Sequence, residues 1–189
     1  MSMRLHSAYL TSAALASVVI AALPSFTVFI PDVSSSVPSP GLSPAAPKET
    51  ADRIVVYKKR RTMELMSKER ILKTYKIALG GEPVGPKRGQ GDHKTPEGEY
   101  KIDSRNPKSR FYLALHISYP NADDRRRARQ LGMSPGGAIM IHGLGKEFGW
   151  LGSAHTLSDW TDGCIAVTNE EMEEIWRLVP IGTTIEIFP

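Results

Sequence analysis

The single cysteine of the chain stands in the segment WTDGCIAVTN (160–169), where its neighbours suit a nucleophile. A glycine precedes Cys164 and a short apolar run follows it, so the thiol is expected where a tight turn enters a strand. Gly163 lets the backbone pass close to a substrate, and consecutive amides in such a turn can point at a developing oxyanion. The pattern predicts that Cys164 attacks a carbonyl if a base accepts the proton of the thiol.

Among the five histidines, His142 has the sequence context of that base. It lies at the end of the apolar segment AIMIHG (138–143) and is followed by Gly143, so its ring can project from a rigid strand end into an open site. Imidazole changes its charge near neutral pH and is the usual acceptor of such a proton. The two residues together predict a cysteine–histidine pair that catalyses acyl transfer.

Other interpretations of the same residues stay open. A lone cysteine is commonly an inert core residue, and a lone histidine is commonly a hydrogen-bonded structural group. A zinc site is a third interpretation, although the sequence has no short C-x-x-C or H-x-x-x-H pair to mark one. Its ligands would be Cys164, His142, His155 and Asp162.

The elements that must position these residues are mostly β-strands. Eight short segments from residue 53 onward carry aliphatic, aromatic or alternating residues, and turns rich in glycine and proline separate them. This pattern predicts a mainly β fold, a sandwich or barrel, with one or two short helices. The expected strands are RIVVYK (53–58), TMELMS (62–67), TYKIAL (74–79), GEYKID (98–103), YLALHIS (112–118), AIMIHG (138–143), CIAV (164–167) and TTIEIF (183–188).

Two segments are predicted to be helical. NADDRRRARQLG (121–132) begins with capping residues and ends at a glycine, and its charged middle indicates a solvated surface helix. TNEEMEEIWRLV (168–179) begins with a capping box of Thr168 and Glu171. One face of this second helix is apolar and is assigned to the core. That face consists of Met172, Ile175, Trp176 and Val179.

The first 52 residues differ in composition from the rest of the chain. Residues 8–30 contain no charged residue, which predicts a membrane anchor within residues 1–30; a cleaved signal peptide and a buried soluble helix are the alternatives. Residues 31–52, rich in proline and serine, predict an extended linker. Anchor and signal peptide alike place the domain of residues 53–189 in the periplasm or cell envelope, tethered to the inner membrane if the anchor is kept.

Charge and cysteine count limit the possible partners. The formal net charge of +4 is small and spread along the chain, so a nucleic-acid partner is not expected. A mildly basic surface does suit an acidic polymer such as a cell wall. One cysteine allows no internal disulfide, and it leaves the redox compartment undetermined.

In their order along the chain, these motifs resemble those of the YkuD-type L,D-transpeptidases, in the YafK-like subgroup. The family pairs a histidine–glycine strand end with a [Ser/Thr]-x-Gly-Cys turn and a nearby asparagine. In this chain IHG (141–143), TDGC (161–164) and Asn169 match them. The segment YKIALGGEPVGPKRGQGDHKTPEGEYKI (75–102) is similar to the family's Gly, Lys, Gly-Asp and Thr-Pro-x-Gly-x-Tyr landmarks. The resemblance covers nearly all of residues 53–189.

The resemblance implies a mechanism on peptidoglycan stem peptides, without a metal or an organic cofactor. Cys164 would attack the carbonyl at the L-centre of the third residue of a tetrapeptide stem, terminal D-alanine would leave, and a thioester would remain. His142, oriented by the backbone carbonyl of Gly143, would accept the thiol proton. The amides of Gly163 and Cys164 would stabilise the oxyanion.

The same resemblance suggests which residues contact the substrate. The connection from His142 to Cys164, 22 residues long, is longer than usual in the family; it is expected to form a lid or wall of the donor site, or else a packed loop. The expected substrate-binding residues from this connection and from the motif are His155, Trp160, Thr161, Asp162 and Asn169.

Some positions depart from the family pattern. Many members carry histidine or lysine where this chain has Asp162, and arginine where it has Ala166. Asp92 and His93 lie in the long loop GDHKTPEG (91–98) and could reach the active site, either lining the substrate groove or taking part in catalysis. The alternative is that the glycine and proline residues alone account for this loop.

Two enzymatic outcomes follow from one thioester. The leading expectation is an L,D-transpeptidase that remodels or cross-links the wall. The alternative is an L,D-specific amidase or peptidase that hydrolyses the link between peptidoglycan and an anchored lipoprotein, as some members of the subgroup are thought to do. A non-catalytic peptidoglycan-binding module and a zinc hydrolase are the two other classes of function that stay open.

Overall fold

The structure is a computed structural model that describes residues 49–189. The predicted anchor of residues 1–30, and all of the predicted linker except residues 49–52, lie outside the described residues. Over the described part of the chain, no helix combines the length and the apolar character needed to cross a bilayer.

Strands dominate the described residues, as the sequence predicts. The helices are α1 (Ala122–Gln130) and α2 (Asn169–Leu178), and a 3₁₀ segment covers Gly149–Leu157. The strands are β1 (Arg53–Tyr57), β2 (Thr62–Ser67), β3 (Arg70–Lys76), β4 (Gly98–Ser109), β5 (Tyr112–Ile117), β6 (Met140–His142), β7 (Ile165–Ala166) and β8 (Thr184–Phe188). The expected mainly β fold with short helices is confirmed.

The eight strands form one sheet in the order β3-β2-β1-β8-β4-β5-β6-β7. The pairs β1–β8 and β6–β7 are parallel, and all other neighbours are antiparallel. After β3 the chain reaches β7, where Ala78 and Ala166 exchange two backbone hydrogen bonds of 3.0 and 2.9 Å. This bridge joins the two ends of the strand order, so the sheet closes on itself as a small barrel.

The barrel interior is filled by the alternating apolar residues of the strands. In β2 and β8 every second side chain is buried, including Leu65 and Ile185. Met172 and Ile175 of α2 and Val179, just after its end, belong to the same core, and Trp176 packs against it, as expected from their helical spacing. Burial of one such aliphatic side chain stabilises the folded state by about 1.5–3 kcal/mol.

Two strands, β3 and β4, differ most from the sequence prediction, and β6 and β7 are shorter than predicted. β3 covers residues 70–76 instead of 74–79, because most of its side chains are exposed and give no alternating apolar signal. β4 continues six residues beyond the expected end at Asp103, to Ser109, through a polar, exposed hairpin arm. The capping box of α2 is as predicted: Thr168 and Glu171 each accept a backbone hydrogen bond from the other.

Candidate active site

Cys164 and His142 line one cavity of about 610 Å³. Their neighbouring parallel strands place them there. His142 is the last residue of β6 and pairs in register with Ala166 of β7, and Cys164 stands in the turn just before β7. The two residues predicted to form the catalytic pair therefore come from adjacent strand ends.

The imidazole of His142 is fixed in one tautomer. Its Nδ1 lies 2.6 Å from the carbonyl oxygen of Gly143, and since a carbonyl only accepts, Nδ1 must carry the hydrogen. Nε2 is left with its lone pair. Burial lowers the pKa of His142, although the Gly143 carbonyl acts in the opposite direction, so the ring is a neutral base at neutral pH.

The thiol of Cys164 is protonated in the free protein. Its Sγ lies 3.5 Å from the carbonyl oxygen of Ala138. Burial raises the pKa of Cys164, and the nearby Asp162 carboxylate adds to the rise, while a hydrogen bond with the Met140 backbone opposes it. A raised thiol pKa beside a lowered imidazole pKa means that the resting pair is neutral, so the thiol has to lose its proton during attack.

Two aromatic rings hold the imidazole. Phe111 stacks on His142 with ring centroids 4.6 Å apart and planes 26° apart. Trp160 meets the same imidazole edge-on at 5.9 Å, and its ring also lies 6.2 Å from Phe111. Trp160, expected to line the donor site, is a wall of the cavity. Phe111 was missed by the sequence analysis because it occupies a hairpin turn, which carries no catalytic motif.

Thr161 and Gly163 shape the turn that presents the thiol. Gly163 has φ +124°, and a Cβ there would lie 2.5 Å from the carbonyl oxygen of Lys94, so only glycine fits. Its amide donates to Thr161 Oγ1 at 3.1 Å, and the Thr161 hydroxyl donates to the Cys164 carbonyl at 2.8 Å. The expected oxyanion donor Gly163 is thus engaged by Thr161. Within residues 49–189 nothing accepts a hydrogen bond from the Cys164 amide.

Asp162 and His93 lie together at the rim. Asp162 is largely exposed, and its Oδ1 lies 2.9 Å from His93 Nδ1. Both also line a neighbouring cavity of about 320 Å³. Asp92 has a different environment, because its carboxylate contacts Lys87 Nζ at 2.7 Å and accepts from loop amides. His93 therefore lines the 320 Å³ cavity next to that of Cys164, and Asp92 supports the loop that carries it.

Asn169 and His155 do not line the 610 Å³ cavity. The Oδ1 atom of Asn169 accepts from the Leu144 amide at 2.8 Å and would lie 2.5 Å from a Cβ on Gly143, so it supports the segment after His142. His155, in the 3₁₀ segment, is buried, and neither ring nitrogen has a hydrogen-bond partner among the described residues.

The zinc interpretation requires Cys164, His142, His155 and Asp162 to converge on one point. Over residues 49–189, no three histidine, cysteine or acidic side chains form a group that could hold a metal ion. Asp162 contacts His93 instead, and His155 lies outside the cavity lining.

Known proteins resemble this chain over the same region. The YkuD family, described as the L,D-transpeptidase catalytic domain, matches residues 51–187. The YafK protein of Escherichia coli (strain K12) is 34% identical over 132 residues, which is 67% of this chain and 46% of that protein. YqjB of Bacillus subtilis is 23% identical over 141 residues, or 71% of this chain and 69% of that protein. The chain thus spans less than half the length of the E. coli relative.

Solved structures show the same fold. The helical cell shape determining protein Pgp2 of Campylobacter jejuni has a TM-score of 0.57 at 25% identity, with 74% of this chain and 48% of that chain covered. Bd1075 of Bdellovibrio bacteriovorus has a TM-score of 0.53 at 26% identity, with 74% and 48% covered. The match across residues 51–187 shows that the chain belongs to the YkuD family of L,D-transpeptidase catalytic domains, in its YafK-like subgroup.

Proposed function

We propose that this chain is an L,D-transpeptidase that acts on peptidoglycan stem peptides through a thioester on Cys164. One observation carries the proposal: Cys164 shares a cavity with His142, whose Nδ1 is bound to the Gly143 carbonyl and whose Nε2 is therefore the available base. A thiol beside an oriented, neutral imidazole is the arrangement that covalent acyl transfer requires.

The first half-reaction forms the thioester. Cys164 Sγ attacks the carbonyl carbon at the L-centre of the third stem residue, and its proton passes to Nε2 of His142. The Cys164 amide is the donor best placed to stabilise the oxyanion, since the Gly163 amide donates to Thr161. The tetrahedral intermediate collapses when the carbon–nitrogen bond breaks and His142 returns the proton to the amine of D-alanine, which leaves.

The second half-reaction discharges the thioester. An acceptor amine loses a proton to His142 and attacks the thioester carbonyl, which restores the thiol and forms a new amide. Room for two peptides supports this step. The 610 Å³ cavity adjoins a groove of about 930 Å³ along Lys108–Phe111, and at Gly137 and Asp162 it adjoins the 320 Å³ cavity. A donor and an acceptor can thus approach the cysteine along different walls.

Hydrolysis is the second candidate outcome. In this outcome a lipoprotein linked to the stem is the group that leaves when the thioester forms. Water then replaces the acceptor amine and releases a free tripeptide. Trp160 favours this outcome, because its ring occupies part of the cavity wall beside His142 and reduces the space for a second peptide. In both candidates Cys164 attacks the same carbonyl and forms the same thioester, and only the leaving amine differs.

We also propose that the enzyme works in the cell envelope, where its substrate is found. The apolar residues 8–30 would hold it at the inner membrane, and the mild positive charge suits the acidic wall. Its partners are then stem peptides and, for the hydrolytic outcome, a wall-anchored lipoprotein.

Product analysis separates the two outcomes. The full chain is incubated with disaccharide tetrapeptide and, separately, with a lipoprotein-linked muropeptide, and products are identified by mass spectrometry. Cross-linked dimers from the first substrate support transpeptidation. Free tripeptide from the second substrate, without dimers from the first, would establish hydrolysis instead. Cys164→Ala is the control and should give neither product.

A further inference from the structure

The hairpin between β4 and β5 brings a cation to the reacting groups. Its two-residue turn consists of Arg110 and Phe111, between the paired residues Ser109 and Tyr112. Arg110 lines both the cavity that contains Cys164 and the adjoining 930 Å³ groove. No sequence motif marks these two turn residues as functional.

The turn is held firmly against the catalytic strand end. A Cβ on Gly145 would lie 2.7 Å from the carbonyl oxygen of Arg110, so the two backbones are in close contact. Phe111 stacks on His142, and the Phe111 amide donates to Ser109 Oγ at 3.0 Å. Arg110 thus starts from a fixed backbone position next to the catalytic histidine.

The guanidinium of Arg110 is available to a ligand. It lies over the ring of Phe111, 4.6 Å from the centroid, and it makes no ion pair with any described residue. Lys108 and Lys146 line the same groove, and Lys108 also lines the cavity that contains Cys164. Neither lysine makes an ion pair over residues 49–189, and Glu147 is the one acidic residue that lines the groove. Burial lowers the pKa of His142, and the positive charge of Arg110 adds slightly to that shift. Burial raises the pKa of Cys164, and Arg110 slightly opposes that rise.

We propose that Arg110 binds the free carboxylate of the substrate residue that leaves, and thereby selects donors whose scissile bond precedes their last residue. This inference rests on the proposed function. The leaving amine takes its proton from His142, so the leaving residue must lie on the His142 side of the cysteine. Its carboxylate is attached to the same α-carbon as that amine. Arg110, whose guanidinium lies over the Phe111 ring that stacks on His142, brings a positive charge to that side. A guanidinium pairs with a carboxylate in a bidentate manner, which the ammonium of the neighbouring Lys108 does not.

The first experiment compares two donors that differ only at their terminus. Disaccharide tetrapeptide with a free terminal carboxylate and the same compound with a terminal carboxamide are given to the full chain, and release of alanine or alaninamide is measured. The carboxylate donor should have a kcat/KM about 10- to 100-fold higher, as expected for hydrogen bonds to a charged group. Arg110→Gln should lower kcat/KM for the carboxylate donor to nearly that of the carboxamide, mainly through KM, since the pairing exists before and during reaction.

Matched variants separate this pairing from a general loss of charge or structure. Arg110→Lys should restore part of the preference, because lysine keeps the charge but loses the bidentate geometry. Arg129→Gln, on the exposed surface of α1 and outside both cavities, removes the same charge and should keep the full preference. An Arg110→Gln protein that still prefers the carboxylate donor to the wild-type extent would overturn the proposal.

A binding measurement tests the subsite independently of turnover. In the Cys164→Ala background, calorimetry with the two tetrapeptides should show about 10- to 100-fold tighter binding of the carboxylate form, and Arg110→Gln should remove that difference. One outcome is that wild-type protein turns over neither donor, while binding still prefers the carboxylate form and Arg110→Gln removes that preference. In that case the proposed function is wrong, and Arg110 is still a carboxylate-binding residue. If Arg110→Gln leaves the ratio of the two affinities unchanged, or wild type shows no preference, the subsite is wrong.

Discussion

At the scale of single residues, His142 is held so that Nε2 can accept a proton and Nδ1, which is bound to a carbonyl, cannot. The Gly143 carbonyl fixes the hydrogen on Nδ1, and the rings of Phe111 and Trp160 limit rotation of the imidazole. A base that is already in the correct tautomer and orientation has little reorganisation left to do when the thiol attacks. The turn around Cys164 is organised in the same way, through the two hydrogen bonds of Thr161.

Replacement of the base tests its role. His142→Ala should reduce the rate of acylation by about 10² to 10⁴-fold, the usual range for general acid–base assistance. The measurement is D-alanine release from tetrapeptide in a single turnover. His155→Ala is the matched control, since the His155 ring does not line the cavity. This variant should keep the wild-type rate of acylation. If His142→Ala acylates at the wild-type rate, another residue is the base.

The pH dependence follows from the directions of two pKa shifts. Burial lowers the pKa of His142, so its neutral, active form persists below the ordinary histidine value of about 6.5. The acid limb of kcat/KM should therefore lie below pH 6.5. Burial raises the pKa of Cys164, so alkylation by iodoacetamide at pH 7 should be slower than that of a free cysteine. An acid limb above 6.5, or a thiol alkylated faster than free cysteine, would contradict the neutral pair.

At the scale of elements, strand ends and connections supply the site. β6 and β7 place histidine and cysteine side by side, the β4–β5 hairpin adds Phe111 and Arg110, and the start of α2 supports the segment after β6. The connection between His142 and Cys164 contributes Trp160 to the cavity wall. Its 3₁₀ segment, by contrast, holds a buried His155 and a well exposed Trp150.

The hydrogen bond from the Leu144 amide to Asn169, at the start of α2, can be tested by mutation. Asn169→Ala removes the acceptor of the Leu144 amide, and Leu144 is buried, so the unfolding free energy should fall by about 1–3 kcal/mol. Urea unfolding of the full chain measures the change. The neighbouring Glu170→Ala, at an exposed position of the same turn, should cost much less. If Asn169→Ala leaves stability unchanged and raises only KM, Asn169 is a substrate ligand rather than a tether.

The sequence predicted those elements whose residues face the core and missed those that face solvent. Alternation identified β2 and β8, and the capping box located α2. The start of β3 and the outer half of β4 were missed because exposed strands need not alternate apolar and polar residues. The cysteine–histidine pair was predicted from local motifs, whereas Phe111 and Arg110 become neighbours of His142 only through the pairing of β4, β5 and β6. No local pattern encodes that contact.

At the scale of the whole molecule, closure of the barrel makes the site a fixed feature of the fold. The Ala78–Ala166 bridge joins the segment just after β3 to β7, and β7 also pairs with β6. The strand that follows the cysteine turn is therefore hydrogen-bonded on both sides. The cavity that contains the thiol adjoins two others along different walls, and this supports a reaction with two substrates. The match to the family across residues 51–187 extends over this whole barrel.

The covalent intermediate is the most direct test of the central claim. Full chain is mixed with disaccharide tetrapeptide, quenched in acid within the first turnover, and analysed by intact-protein and peptide mass spectrometry. The account predicts one disaccharide tripeptide per chain, attached to Cys164 as a hydroxylamine-sensitive thioester, with one D-alanine released for each adduct. Cys164→Ala should form no adduct and release no D-alanine. Release of D-alanine by Cys164→Ala at the wild-type rate would contradict the account.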